Sequence, residues 1–80
     1  MAIVAFGHRL SISTDAVRYE FGLTADDPDR GVVVIPLDDA EAWFVEDRAD
    51  RPVSAKKVVG RAWLQHERTG EWPEWASVAS

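Results

Sequence analysis

Between Ala16 and Thr24 the chain alternates, with Val17, Tyr19, Phe21 and Leu23 on one side and Arg18, Glu20, Gly22 and Thr24 on the other. A period of two over β-favouring residues predicts a strand with one packed and one open face. Ahead of it, Arg9-Leu10-Ser11-Ile12-Ser13 alternates more briefly, and Thr14-Asp15 supplies a turn between the two. Asp26-Asp27-Pro28-Asp29-Arg30-Gly31 is dense in turn formers and predicts the closure of a hairpin. The following run, Gly31 to Leu37, is apolar on both sides, as in a central or doubly covered strand. Pro36 has no N–H to give to a ladder and marks the strand's end or an edge position. Asp38-Asp39-Ala40-Glu41 turns the chain again. Ala42-Trp43-Phe44-Val45 then reads as a further strand of a meander, in competition with a short helix capped by Asp38 or Asp39.

Past a charged connection from Glu46 to Pro52, the period changes from two to about 3.6. A helix is predicted over about 54–69, with Ser54 as N-cap, Gly70 as terminator and Pro73 forbidding continuation. At roughly 100° per residue, Ala55, Val58, Val59, Ala62, Trp63 and His66 fall within an arc of about 140°. That is the stripe of a helix laid on a sheet. The remaining tail, Glu71 to Ser80, either runs extended along the sheet or frays.

These elements predict a small α+β domain over residues 1–80. Its mostly antiparallel sheet of three to four strands is covered on one face by a single C-terminal helix. The opposite face then has no second helix above it, although the run Val32 to Ile35 is apolar on both sides. Self-association across that face or along an edge strand is the economical way to cover it, so a homodimer is expected.

Composition sharpens this picture. Eighty residues hide only about 60–65% of the surface that the unfolded chain exposes, and such a core contributes roughly 3–5 kcal/mol without a staple. With no cysteine there is no disulfide and no thiolate metal site. Four tryptophans suit either tight packing or association. The net charge of −5 sets poor odds for binding a phosphate backbone. The excess is concentrated in residues 1–40, with three basic and seven acidic side chains, whereas residues 41–80 carry six and seven. The apolar run from Met1 to Gly7 has no cation before it and is too short for a signal core or a bilayer span. A cytoplasmic protein with no membrane partner is the expectation.

Candidate chemistry is sparse. Asp26, Asp27 and Asp29 before Gly31 suggest a calcium loop, but neither register places both the ligands and the glycine correctly, so a solvated turn is favoured. His8 and His66 are the only imidazoles, and no spacing joins them to metal-ligating partners. His66 lies in the apolar arc and is expected to be a packed histidine with one ring nitrogen bonded to backbone. His8 beside Arg9 is at most a small anion site. Nucleophile signatures and glycine-rich phosphate loops are absent. An enzyme would have to rest on His66, His8 or Glu67; none is expected, and neither is a metal or cofactor.

Two surfaces stand out. Lys57, Arg61, Leu64 and Arg68 recur at spacings of 4, 3 and 4 and form a basic stripe around a leucine opposite the core arc. That stripe is either a docking site for an acidic protein or an ordinary solvated helix face. Trp72-Pro73-Glu74-Trp75 places two indoles three apart on an extended segment, where both cannot face inward. They clamp the tail, or at least one of them anchors a partner. The function expected is a small acidic, non-catalytic protein-interaction module of regulatory, inhibitory or accessory type, using Lys57, Arg61, Leu64, Arg68, Trp72 and Trp75. The alternative is a homodimeric sensor that binds a small molecule in a pocket lined by Tyr19, Trp43, Trp63 and His66.

Overall fold

The structure, a computed structural model, describes residues 4–23 and 30–79. Asp26, Asp27, Pro28 and Asp29, and with them the calcium-like spacing, lie outside the described residues, as does Thr24. The architecture is the expected one: an antiparallel sheet with one helix packed on one face. Chain order is β1 (Val4–Ile12), β2 (Ala16–Gly22), β3 (Gly31–Pro36), a 3-10 turn (Ala40–Ala42), β4 (Phe44–Val45), α1 (Val53–Thr69) and β5 (Val78–Ala79). The spatial order is β4-β3-β2-β1-β5, so three long strands are flanked by two very short ones. No helix among the described residues is long and apolar enough to cross a membrane.

Alternation in β2 decides the layers. Val17, Tyr19 and Phe21 are fully buried beneath α1. Register carries that face across the sheet: Val17 pairs with Ile35 and Tyr19 with Val33, and Val33 with Val45. On the other side Gly7 pairs with Phe21 and Arg9 with Tyr19. The register shifts between Arg9 and Ser11, a bulge that leaves Leu10 unpaired and 46% exposed. Ser13 closes the first hairpin: its N–H bonds the Ala16 carbonyl at 2.9 Å, and its Oγ accepts from the Asp15 and Ala16 amides at 3.3 and 3.2 Å. β3 ends at Pro36, and one more bond to the β2 side follows it, from Leu37 N–H to the Asp15 carbonyl at 2.9 Å.

The helix meets the sheet through small residues. Ala55, Val58, Val59 and Ala62 are buried, and α1 lies chiefly over β1 and β2. Gly7 sets the closest approach. A Cβ there would stand 2.5 Å from Val58 Cγ1 and 3.1 Å from the Ala76 carbonyl oxygen. The helix begins at Val53, with Pro52 rather than Ser54 at the N-cap; Ser54 is inside the first turn and buried. It stops at Gly70, whose φ of 79° is left-handed and whose N–H bonds the His66 carbonyl at 2.8 Å.

The tail runs extended beside β1. Arg9 N–H bonds the Glu74 carbonyl at 2.8 Å, and Ala76 N–H bonds the Gly7 carbonyl at 2.9 Å. Beyond them Ala5 pairs with Val78 and Val4 with Ala79. Two inward polar groups hold the crossing from helix to tail: Arg9 Nη1 donates to the Trp72 carbonyl at 2.7 Å, and the Tyr19 hydroxyl donates to the Pro73 carbonyl. Ala42-Trp43-Phe44-Val45, expected as a strand, is divided. Trp43 follows the 3-10 turn, and only Phe44 and Val45 pair with β3. Arg51 secures this corner, donating to the Glu41 and Trp43 carbonyls at 2.9 and 2.8 Å and lying 4.5 Å from the Trp43 ring centre.

Two outcomes follow from this packing. Gly7→Ala forces Val58 or the Ala76 backbone outward and lowers stability by about 1–3 kcal/mol in denaturant titrations, as overpacking does. Val58→Ala in the same chain recovers part of the loss. Burial pushes Tyr19 up from 10.0 to about 12, against a smaller lowering by Arg9. The unfolded chain therefore loses this proton first, and stability is intact below pH 10 and falls between pH 10 and about 12. Tyr19 is the single tyrosine, so tyrosinate absorbance follows it directly, and Tyr19→Phe flattens that part of the pH profile.

Candidate functional site

Among the described residues no helix or strand lies over the face of the sheet away from α1, and pairing places the residues of this open face in rows. One row runs Phe44, Val34, Arg18, Ser11. The next runs Val32, Glu20, His8, Trp75, and Phe6 lies opposite Gly22 beyond them. Phe44 is 50% and Trp75 58% exposed, while Phe6, Val32 and Val34 are half-buried. The His8 and Trp75 rings stack at 4.2 Å and 17°. Arg18 reaches across β3 to Glu46, with Nη2 2.7 Å from Oε2. Both side chains keep much of their exposure, so the pair contributes little stability.

The candidate residues separate onto different parts of the molecule. Arg61, Leu64 and Arg68 are exposed on the outer side of α1, with Lys57 half-buried beside them. That stripe faces away from the open sheet face. Trp72 is 6% exposed and belongs to the core, so of the two tail indoles Trp75 is the one turned outward. Tyr19 and Trp43, the proposed ligand-pocket residues, are interior, at 0% and 7%. Trp63, expected in the core, is 40% exposed. His66 stacks on Trp72 at 4.4 Å and 16°. The four therefore do not converge on one cavity.

Chain comparisons add no identity. No family model, curated protein or solved structure matches this chain. Function rests on the molecule's own surfaces.

His66 departs from expectation in one respect. It is packed, but its Nδ1 is buried with no hydrogen-bond partner, so ring stacking rather than a backbone bond holds the imidazole. Among the described residues, no acidic or histidine cluster is disposed to hold a metal ion. The open sheet face was legible only in part. The alternation of β2 indicated Arg18 and Glu20, but Phe6, Phe44 and Trp75 join them only through pairing between distant segments. A buried unpaired nitrogen is unfavourable by roughly 1–3 kcal/mol. His66→Phe keeps the stacking and removes that nitrogen, and is expected to raise the denaturation midpoint. His66→Ala removes the ring and lowers it.

Proposed function

We propose that this chain is a non-catalytic interaction module that assembles as a homodimer through the open sheet face. That assembly leaves the basic helix stripe outward on each copy for a further protein partner. The observation that carries the proposal is the outer face of β2, the middle strand of five, which presents Arg18 and Glu20 side by side. Consider a two-fold axis lying in this face and crossing β2 between them. It sets Arg18 of one copy over Glu20 of the other, and the reverse, and sets Val34 over Val32 of the second copy. Such self-matching is what an isologous interface requires. Phe44 and Trp75, 50% and 58% exposed, then lie on the two flanks and add apolar area to the contact.

Size supports the same arrangement. The molecule measures 33 × 27 × 19 Å, thin in one direction as one sheet and one helix layer are. An outline of 33 by 27 Å encloses roughly 700 Å², close to the ~800 Å² that each partner contributes to a standard interface. The dimer would be a four-layer helix–sheet–sheet–helix block, its inner layers about 10 Å apart.

Light scattering behind size exclusion is expected to give a dimer at micromolar concentration. Arg18→Glu opposes carboxylates across the axis, besides replacing the pair with Glu46 inside each copy by a repulsion, and yields a monomer with unchanged helical circular dichroism. Glu46→Gln, which removes only the internal pair, leaves the dimer intact. Arg18→Glu with Glu20→Arg restores the match and the dimer. A wild-type chain that stays monomeric, or an Arg18→Glu variant that stays dimeric, overturns the proposal.

A further inference from the structure

On the helix side of the sheet, at its β4 end, a groove separates the segment Asp38–Glu41 from α1. It measures about 450 Å³ and is lined by Asp38, Asp39, Ala40, Glu41, Val59, Gly60 and Trp63. That volume is within the range of small-molecule sites. We propose that this groove binds an organic cation, an alkylguanidinium or alkylammonium group, with its stem on the apolar floor and its charge between Trp63 and the acidic rim. The site is independent of the dimer face, which lies on the other side of the sheet.

Three observations support this. The floor offers an indole: Trp63 is 40% exposed in a wall otherwise made of Val59, Gly60 and Ala40. A cation over a tryptophan face is attracted by the ring quadrupole, as Arg51 over Trp43 already illustrates in this fold. The rim is acidic and uncompensated. Among the described residues no Lys or Arg nitrogen pairs with the Asp38, Asp39 or Glu41 carboxylates. Arg51 is bound to the Glu41 carbonyl rather than to its carboxylate. These carboxylates also do not gather as metal ligands do, so the arrangement suits a larger cation with an apolar stem.

The third observation is Gly60. Glycine inside a helix is unfavourable relative to alanine, and packing gives no reason for it here. Its φ is not left-handed, and a Cβ would meet nothing within 4 Å. What the missing side chain does is keep the groove floor open. Gly7, by contrast, is demanded by the contacts of Val58 and the Ala76 carbonyl.

An amide NMR titration tests the site with butylguanidinium and with n-butanol as the neutral counterpart, at matched ionic strength. The expected result is saturable shifts at Ala40, Gly60 and the Trp63 indole, with Kd on the order of 1 mM for so small a probe. Butanol should bind at least tenfold more weakly. Gly60→Leu, which favours the helix and fills the floor, should abolish the shifts while raising the melting temperature. Gly60→Ala raises the melting temperature and weakens binding, by less than Gly60→Leu does. Asp38→Asn with Asp39→Asn and Glu41→Gln weakens the cation tenfold or more and leaves butanol unchanged. N-acetyl-arginine amide and 1,5-diaminopentane then separate two sources of the same chemistry, a protein side chain and a free polyamine, by which binds tighter. Equal binding of butanol, non-saturating shifts, or a Gly60→Leu variant that binds as well as wild type overturns the proposal.

Discussion

The close approach at Gly7 is the constraint on which the rest of the molecule depends. At this one position on β1 the helix, through Val58, and the tail, through the Ala76 carbonyl, both press on the backbone where a side chain would stand. Ala5 beside it and Ala76 opposite are also fully buried. The inner layer is therefore thin at β1 and thick at β2 and β3, where Tyr19, Phe21 and Ile35 fill the space. A helix resting on such a wedge leans toward its thin side. It lies mostly over β1 and β2 and touches β3 less. The room left over at the β4 end is taken up in part by the 3-10 turn, and what remains is the groove beside Trp63. The tightest contact and the widest opening thus have one origin.

The four tryptophans divide along the same geometry. Trp43 and Trp72 close the two ends of the core at 7% and 6% exposure, and Trp63 and Trp75 face out on opposite sides of the sheet. Trp72 is held by its main chain as well as its ring, because Arg9 and Tyr19 bind the carbonyls of Trp72 and Pro73. Proline has no N–H to satisfy at this crossing, so two carbonyl acceptors dominate the local polar groups and two inward donors meet them. A chain without disulfides ties its tail to its sheet in this way.

Much of the fold was legible in the pattern of side chains. The alternation of Val17, Tyr19 and Phe21, and the stop at Gly70, located β2 and the end of α1 directly. The first half of β1 escaped notice because its inward residues are Ala5 and Gly7, too small to mark a period. The arc read for the helix is turned slightly too far: Ser54 is buried while Trp63 keeps 40% of its exposure. A projection assumes contact on both flanks, and the wedge removes it on one. Of the surfaces, the exposure of Leu64 was evident from the same projection. The rows of the open sheet face and the groove were not, because each is assembled from segments far apart in sequence.

Both margins of the sheet are blunted, and this limits how copies of the chain can meet. β4 pairs through two residues and passes at once into a turn where Asp47 adopts a left-handed φ of 62°. On the opposite margin the tail occupies the hydrogen-bonding positions of β1. Among the described residues the outermost strand on each side, β4 and β5, is two residues long, a short template for another strand. Open-ended growth by strand addition, the first step toward fibrils, is thereby disfavoured. The face-to-face contact proposed for two copies is of the other kind, a pairing of flat faces that closes once made.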